Sequence, residues 1–302
     1  MRNRVNRIEA LLHQDTGRYT IPLFAAARGG LWGAVSALAA VPPRRVGILT
    51  GFYVPRGTPP AAETDGPAGA ALLALAFTGI GVSCRLLTDT ACRSACEAAL
   101  SGAGLTGVPV DGVAPDAPPG PVIAAWRAEG IDLVLAIERC GLSADGRPRN
   151  MRGEDVGAHA APLDRVFTAG PWRTLAIGDG GNEVGMGALP AGLIAAFVPF
   201  GERIACVTPA DHLIVAGVSH WGAYGLIAGL TVVRPAWRDS LLNCLDSTIE
   251  HRILTTLLEH GPAVDGVTLG RTPTIDGFDL ATHGTVRDRI RAIAEKNQTG
   301  PP

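Results

Sequence analysis

Residues 174–187 read TLAIGDGGNEVGMG, a short apolar run followed by a glycine-rich polar turn. The run Thr174–Ile177 is typical of a buried strand, and five glycines in the next ten residues let the backbone turn sharply and approach a ligand closely. Asp179, Asn182 and Glu183 place two carboxylates and an amide on that turn. A purely structural turn needs fewer glycines, so the pattern indicates a site. The alternative is a strand–turn–helix corner in which Asp179 and Asn182 cap the next helix.

The same stretch excludes several common ligand sites. No lysine follows the glycines, so it is not a Walker A loop, and the glycine spacing differs from the G-x-G-x-x-G pattern of dinucleotide-binding loops. Two carboxylates would repel a bare phosphate, so the turn suits a divalent cation, an ammonium group or a proton transfer. Lys296 is the only lysine in the chain, which argues against a Schiff base. We therefore predict neither NAD nor pyridoxal phosphate (PLP) as a cofactor.

The composition is that of an ordinary globular protein. The 302 residues are 47% hydrophobic and 18% charged with a net charge of -2, which suits one large or two medium domains. There is no basic excess and only 5% aromatic residues, so we expect no nucleic-acid partner. Six cysteines without a C-x-x-C pair are typical of a reduced protein. We predict a cytoplasmic location, or a mitochondrial one if the chain is eukaryotic.

We also expect no membrane partner. The N-terminus, Met1–His13, has the apolar spacing of a surface helix and lacks the apolar core of a secretory signal. The uncharged runs 67–84 and 213–233 are interrupted by glycines, which favours buried α/β core over membrane spans. The sequence leaves open whether the chain forms a homo-oligomer.

Short apolar runs alternate with helical patterns along the chain. We predict strands at Val46–Thr50, Cys84–Thr88, Val108–Asp111, Ile131–Ile137, Thr174–Ile177 and Ile204–Val207, and helices at Leu31–Ala40, Pro67–Thr78, Ala91–Leu100, Pro121–Glu129 and Asp164–Ala169. This alternation predicts an α/β fold with a mostly parallel sheet and helices on both faces, a Rossmann-like three-layer arrangement. In such folds the ligand lies at the C-terminal ends of the strands.

We predict a single α/β domain over residues 1–302. Gly201–Glu202 is a candidate joint, so residues 202–302 form a more helical C-terminal subdomain in the alternative division. The tail after Asn297 is expected to fray.

Three polar, glycine-bearing loops follow predicted strands and are therefore expected to meet at one edge of the sheet. They contain Glu63 and Asp65, then Glu138 and Arg139 with the stretch 150–152, and finally the turn 178–187. For Glu63 and Asp65 the alternative role is helix capping.

A further polar stretch begins at Ser219-His220, ahead of a glycine-rich helix whose first N–H groups can receive a carboxylate. His220 is a candidate proton carrier, with a structural histidine as the alternative. Nearer the C-terminus, Asp276 has the context of a turn residue, while His283 fits either a cap or a site.

In chain order the polar loops read ETDGPAG at 63–69, ERCGLSADG at 138–146, NMR at 150–152, GDGGNEVGMG at 178–187 and GVSHWGAY at 217–224. This set resembles the D-glutamate cyclase family over nearly the whole chain, and five motifs in order are more specific than any single one. In some members the matching region is the C-terminal half of a longer mitochondrial protein. For this chain the resemblance implies a cyclase-type domain that stands alone. The family pattern allows Asn in place of His220, so no obligatory acid or base is implied there.

The resemblance implies a hydro-lyase reaction that converts D-glutamate to 5-oxo-D-proline and water. In it the α-amine attacks the γ-carboxyl carbon. The chemistry requires a base for the ammonium group, stabilisation of the developing oxyanion and a proton for the leaving oxygen. The substrate must also be folded so that its amine and carboxyl groups touch.

For these tasks we predict three catalytic residues, Asp179, Glu183 and Glu138. The predicted substrate-binding residues are Glu63, Asp65, Arg139, Asn150, Arg152, Gly180, Gly181, Asn182, Ser219 and His220. The arginines suit substrate carboxylates, with neutralisation of Glu138 as the alternative role of Arg139, and the glycine N–H groups suit an oxyanion. An alternative use of the oxygen-bearing residues is a Mg²⁺ or Mn²⁺ site formed by Asp179, Asn182, Glu183 and Glu138.

Two other function classes stay open at this stage. One is a metal-assisted lyase or hydrolase that acts on another small amino or hydroxy acid. The other is a non-catalytic protein that binds a small acid. The sequence determines neither the stereochemistry of the substrate nor which carboxylate acts as the base.

Overall fold

Six parallel strands form the central sheet in the computed structural model, which describes residues 1–296. They are β1 Arg45–Gly51, β2 Ser83–Asp89, β3 Val110–Val113, β4 Leu133–Arg139, β5 Arg173–Gly178 and β6 His212–Val215. Their spatial order is β3-β2-β1-β4-β5-β6, and each neighbouring pair is parallel. This is the strand order of the doubly wound Rossmann fold, so the predicted class is confirmed. The expected fraying after Asn297 lies outside the described residues.

Helices connect the strands and cover both faces of the sheet. They are α1 Arg2–Leu12, α2 Ile21–Ala27, α3 Gly30–Ala40, α4 Asp65–Gly79, α5 Arg93–Gly102, α6 Gly120–Glu129, α7 Asp164–Ala169, α8 Leu193–Phe197, α9 Gly201–Ile204, α10 Ser219–Val233, α11 Arg238–Cys244, α12 Ser247–His260 and α13 Leu280–Glu295. All five predicted helices are present, with ends that differ by a few residues. The candidate joint Gly201–Glu202 falls inside α9, and the division into subdomains stays a prediction.

The strands are apolar on both sides because each face packs against helices. In β4, Leu133, Leu135 and Ile137 join the cluster shared with α4 and α10, whereas Val134 and Ala136 face the cluster shared with α6 and α7. Burying one such leucine side chain contributes about 1.5–3 kcal/mol. The central strands are therefore rigid supports for whatever their C-terminal ends carry.

One predicted strand is wrong. Ile204 ends the short helix α9, and the edge position of the sheet is taken by β6, eight residues later in the chain. The run Ile204–Val207 has the alternating burial of a strand, but Pro209 follows it closely, and only an isolated bridge from Cys206 to Ser143 forms. The other five predicted strands match the observed ones to within about two residues.

The glycine-rich turn does not open a helix. After β5 the chain makes turns and isolated bridges through Glu183, Gly185 and Met186, and the next helix is α8. Asp179 and Asn182 are therefore not helix caps, and the capping interpretation of this turn is wrong.

The segment Ile21–Ala40 is the one stretch among the described residues that is long and apolar enough, by length and composition alone, to cross a membrane. Core helices satisfy the same criterion. In this chain the segment consists of two helices, α2 and α3, separated at Gly29, whose φ is 91°. The absence of a membrane partner stays a prediction.

The strand order reverses between β1 and β4, and the connections from these two strands leave toward opposite sides of the sheet. A crevice opens at their C-terminal ends, which is where doubly wound folds bind ligands. The loop after β1 returns through the short strand Ala61–Glu63, which pairs with Tyr53–Val54 and Ala263–Val264. This small sheet carries Glu63 and the start of α4 to the crevice.

Candidate functional site

A cavity of about 240 Å³ occupies the crevice between the ends of β1, β4 and β5. Segments from across the chain line it, and among them are five acidic residues, Glu63, Glu138, Asp179, Glu183 and Asp276, and three arginines, Arg18, Arg56 and Arg152. Phe52, Tyr53 and Val54 add apolar surface. Such a concave pocket with convergent polar groups is the usual form of a small-molecule site.

Asp65, Glu138 and Asp179 form the acidic cluster of this site. Each offers one carboxylate oxygen, and these three atoms lie within 4.8 Å of one another. Asp65 is the first residue of α4, Glu138 is the penultimate residue of β4, and Asp179 directly follows β5. The polar loops therefore meet at these three positions, as the sheet topology predicts.

The backbone at Glu138 is turned out of the strand to make this possible. Its φ is 42°, in the left-handed region that residues other than glycine adopt rarely, and β1 and β4 shift register beside it. Backbone strain of this kind persists only where surrounding contacts enforce it, and it is commonest at functional sites.

Ser219 ties two members of the acidic cluster together at the start of α10. Its backbone N–H donates to Asp179 Oδ2 at 2.9 Å, and its hydroxyl donates to Glu138 Oε2 at 2.6 Å. The predicted site residue Ser219 is thus adjacent to the acids, and it orients them from the first turn of a helix.

The acidic cluster has more carboxylate oxygens than hydrogen-bond partners for them. Burial, with the neighbouring carboxylates, raises the pKa of Asp65 and of Glu138 well above the ordinary range. Burial also raises the pKa of Asp179, although the Arg18 guanidinium opposes it. Within residues 1–296, Asp65 Oδ1 is buried without a hydrogen-bond partner. The cluster is therefore poised to take up protons or a cation.

Two further acids complete the cavity, Glu63 from the small sheet and Asp276 from a turn near the C-terminus. Burial, together with the nearby Asp276 carboxylate, raises the pKa of Glu63 to about 8. Burial raises the pKa of Asp276 to about 6, with Arg18 opposing. Glu63 was expected here, whereas Asp276 was read from the sequence as a turn residue, which its φ of 55° also makes it.

Arg18 is a site residue that the sequence did not reveal. It lies in the loop between α1 and α2, with Nη1 2.8 Å from Asp179 Oδ1 and Nη2 in contact with Asp276 Oδ1. Burial alone would lower the pKa of Arg18, but the carboxylates of Asp179 and Asp276 raise it well above the ordinary value. No motif surrounds Arg18, and its partner Asp276 is 258 residues away, so no local signal was present.

Glu183 holds the glycine-rich turn in shape. Its carboxylate accepts the backbone N–H groups of Asp179 at 3.0 Å, Gly180 at 2.7 Å and Gly181 at 2.7 Å. The N–H groups of Gly180 and Gly181 are thus already bound, which corrects their expected role as a nest for a substrate oxyanion. Gly181 has a φ of 101°, which only glycine adopts readily.

Arg139 does not reach the cavity, although we expected it to bind substrate. Its guanidinium is 1% exposed and bonds to Asp89 at the end of β2, and also to the carbonyl oxygens of Gly51 and Ala161. It neutralises Asp89 rather than Glu138. These contacts tie the C-terminal ends of β1, β2 and β4 together, so the structure gives Arg139 a supporting position beneath the site.

Asn150, Arg152 and Asn182 line the cavity as expected. Asn150 Oδ1 accepts the backbone N–H groups of Arg152 and Glu154, each at 3.0 Å, and so shapes the loop that presents Arg152. Asn182 Nδ2 donates to the carbonyl oxygen of Arg149 at 2.8 Å, which joins that loop to the glycine-rich turn.

His220 lies in a second buried network, away from the cavity lining. Its Nε2 is 3.0 Å from Glu250 Oε1, and Glu250 also accepts from Tyr224 and from Arg287 Nη1. His283 belongs to the same region, where Trp221 Nε1 donates to its Nδ1 at 2.9 Å. The structure therefore does not bring His220 to the substrate cavity, in contrast to our expectation.

The residues that fit a divalent cation differ in part from the predicted set. Glu138 and Asp179 converge with Asp65, and Asp65 Oδ1, which has no partner within residues 1–296, is the kind of hard oxygen donor that Mg²⁺ or Mn²⁺ prefers. Glu183 has its oxygens engaged by three N–H groups, and the Asn182 amide is tied to Arg149. The cluster Asp65, Glu138 and Asp179 is thus the candidate cation site.

Comparison with known proteins identifies the family of the chain. D-glutamate cyclase, mitochondrial, of Homo sapiens is 30% identical over 204 residues, which are 63% of this chain and 33% of that protein. The chain thus spans about a third of the length of this relative. The family model described as D-glutamate cyclase-like, C-terminal, matches residues 8–291, which include all the cavity residues named above. The chain therefore belongs to the D-glutamate cyclase-like, C-terminal family.

Proposed function

We propose that this protein is a D-glutamate cyclase-like hydro-lyase that closes D-glutamate to 5-oxo-D-proline with loss of water. The observation that carries the proposal is the acidic cluster, in which oxygens of Asp65, Glu138 and Asp179 lie within 4.8 Å of one another beside the cavity. Family membership supports it, and so does the name of the human relative.

The acidic cluster suits the amine end of an amino acid. A substrate ammonium group offers three N–H donors, and three converging carboxylate oxygens match that number. Attack on the γ-carboxyl carbon requires the ammonium to lose a proton, and a neighbouring carboxylate is a suitable acceptor. Asp179 and Glu138 have the best-defined orientations for this role, because Ser219 bonds to both.

The leaving oxygen needs a proton, and Glu63 is placed to supply it. With its pKa raised to about 8, Glu63 is largely protonated near neutral pH, and it lines the cavity. A carboxylic acid kept neutral in this way can donate to a substrate oxygen. Ring closure then forms the C–N bond, breaks the C–O bond and releases water.

Glu183 is a positioning residue in this scheme rather than the base. Its carboxylate is held by the N–H groups of Asp179, Gly180 and Gly181, so it fixes the turn from which Asp179 projects. Arg152, exposed on the rim of the cavity, suits the α-carboxylate of the substrate, since a guanidinium binds a carboxylate through two parallel bonds.

We propose a second arrangement as an alternative, in which Asp65, Glu138 and Asp179 hold Mg²⁺ or Mn²⁺ in place of the substrate ammonium group. When bound there, the ion would supply positive charge that polarises a substrate carboxyl oxygen. The cytoplasmic location stays a prediction, because the human relative is a mitochondrial protein.

The decisive experiment measures 5-oxoproline formation by the purified protein. D-glutamate and L-glutamate are compared, each with EDTA and with added Mg²⁺ or Mn²⁺, and Asp179→Asn is the matched inactive variant. We expect turnover of D-glutamate that Asp179→Asn reduces by about 10²–10⁴-fold, the usual contribution of a general base.

Other outcomes identify the alternatives. Turnover of a different small amino or hydroxy acid, without 5-oxoproline, would favour a metal-assisted lyase or hydrolase on that substrate. Binding of glutamate without any turnover would favour a non-catalytic binding protein. Either result contradicts the cyclase proposal.

A further inference from the structure

Cyclisation needs positive charge or hydrogen-bond donors at the carboxyl group that is attacked, because negative charge develops on its oxygen. Three groups that the sequence suggested for this role already bind other residues of the protein. The N–H groups of Gly180 and Gly181 bind Glu183, and the Arg139 guanidinium binds Asp89. When the acidic cluster binds the ammonium group rather than an ion, the group that stabilises the oxyanion therefore comes from another part of the chain.

Three arginines line the cavity, and they differ in depth. Arg56 is paired with Glu154 and has a side chain 58% exposed, and Arg152 is exposed as well. The Arg18 side chain is only 20% exposed and lies among the acids. A guanidinium removed from water interacts more strongly with developing charge than one on a rim.

The contacts of Arg18 leave part of its guanidinium available. Nη1 lies near Asp179 Oδ1 and 3.4 Å from the carbonyl oxygen of Gly217, and Nη2 contacts Asp276. A guanidinium has five N–H donors, and within residues 1–296 the Nε–H group of Arg18 has no hydrogen-bond partner.

The loop that carries Arg18 is anchored against the site. Asp15 Oδ1 accepts the backbone N–H groups of Gly17 and Arg18, and Thr16 Oγ1 donates to the carbonyl oxygen of Gly217 at 3.2 Å. Gly217 lies two residues before Ser219, which orients the acidic cluster. Arg18 and the acids are therefore positioned by the same short stretch of backbone.

We propose that Arg18 is a catalytic residue that binds the γ-carboxyl group of the substrate and stabilises its oxyanion during ring closure. The 2.8 Å contact between Arg18 Nη1 and Asp179 Oδ1 places the carboxyl-binding and amine-binding points side by side. The reacting atoms of an intramolecular attack must come within about 3–3.5 Å, which this arrangement favours. This inference rests on the proposed cyclase function and extends it to the N-terminal loop.

The test compares Arg18→Gln and Arg18→Lys with the wild-type protein, using D-glutamate turnover. Arg44→Gln is the matched control, because Arg44 is exposed at the other end of β1 and faces Asp132. We expect Arg18→Gln to lower kcat by about 10²–10³-fold with a much smaller change in KM, because the contact strengthens in the transition state. Arg18→Lys, which keeps the charge without the planar fork, is expected to fall between.

A chemical-rescue measurement separates this role from a structural one. Guanidinium ions at millimolar concentration are expected to restore part of the kcat of Arg18→Ala and to leave Arg44→Gln unchanged. Circular dichroism and thermal melting report whether each variant is folded, and Arg18→Lys decides the question if the other two variants do not fold.

The outcomes distinguish this proposal from the one on which it rests. A folded Arg18→Gln or Arg18→Lys that keeps wild-type kcat would overturn the role of Arg18 and leave the cyclase function standing. Such a result would point to a divalent cation as the group that polarises the carboxyl. Absence of 5-oxoproline formation by the wild-type protein would overturn both proposals.

Discussion

Asp65 and Glu250 are two deeply buried carboxylates whose pKa values are shifted in opposite directions. Asp65 is 1% exposed and Glu250 is 3% exposed. Burial alone would raise the pKa of Glu250, but the hydrogen bond and charge of His220, with Arg287, lower it below the ordinary value. Burial and the neighbouring carboxylates raise the pKa of Asp65 instead. Equal burial with opposite shifts means that the partners, and not the depth, decide the charge state.

The two regions therefore have different roles. The network around Glu250 satisfies its carboxylate with Tyr224, His220 and Arg287, so it stabilises the packing of α10, α12 and α13. Among the residues that the structure describes, Asp65 Oδ1 has no hydrogen-bond partner, and the acidic cluster places like charges together, which costs stability. Such under-satisfied groups are retained where a ligand completes them. Three substitutions test this contrast.

The largest effect is expected from Glu138→Gln in the acidic cluster. The substitution keeps an oxygen that can accept from Ser219 Oγ but removes a carboxylate that we propose contacts the substrate amine. We expect kcat/KM for D-glutamate to fall by about 10²–10⁴-fold. The melting temperature is expected to stay level or rise, because repulsion within the cluster decreases.

Glu129→Gln is the matched control for Glu138→Gln, since Glu129 ends α6 and forms an exposed pair with Arg85. It is expected to leave both kcat/KM and the melting temperature nearly unchanged. A Glu138→Gln protein that is fully active, or one that loses activity only because it unfolds, would contradict the assignment of Glu138 to the reaction.

The second effect concerns stability and comes from Glu250→Ala. Removing this carboxylate leaves Arg287 Nη1 without its buried acceptor, and Tyr224 and His220 lose their acceptor as well. Loss of one partner of a buried ion pair costs about 3–5 kcal/mol, so denaturant titration is expected to show a drop of that order in the free energy of unfolding. A drop below about 1 kcal/mol, as surface pairs give, would mean that the network is not a stabilising element.

The features that the sequence predicted correctly are those formed by residues close together in the chain. The strands and the loops after β1, β4 and β5 were predictable because local apolar runs and glycine patterns specify them, and parallel strands bring their ends together. Arg18 and Asp276 were missed because they meet only through tertiary structure. Arg139 was misplaced for the same reason, since its partner Asp89 is 50 residues away and next to no recognisable motif.

His220 and Gly180 show a second limit. Both belong to motifs that are correctly recognised, yet His220 contacts Glu250 and the Gly180 N–H group binds Glu183. A motif indicates that a segment belongs to a site, but the direction of each side chain or N–H group depends on packing. The edge strand was misplaced because Ile204–Val207 and β6 are both largely apolar, and Ile204 belongs to the helix α9 that precedes β6.

The smallest effect is a difference in how stability depends on pH. Glu63 and Asp276 have folded-state pKa values raised to about 8 and about 6, above the unfolded values near 4. A raised carboxyl pKa contributes stability that is fully present below the unfolded pKa and is lost as the pH rises through the folded pKa. Glu250 has a lowered pKa, so its contribution is present above its unfolded pKa and is lost as the pH falls. Glu63 and Asp276 are thus expected to limit stability at high pH, and Glu250 at low pH.

Melting temperatures of the wild-type protein and of Glu63→Gln, measured in EDTA buffers from about pH 4 to 9, test this expectation. The wild-type value is expected to decline as the pH rises toward 8, and Glu63→Gln is expected to flatten that decline without altering the loss of stability in acid. Glu129→Gln again serves as the control, because its side chain is exposed. Parallel pH profiles for wild type and Glu63→Gln would show that Glu63 ionises as freely in the folded protein as in water, and it would then lack the proton that the leaving oxygen requires.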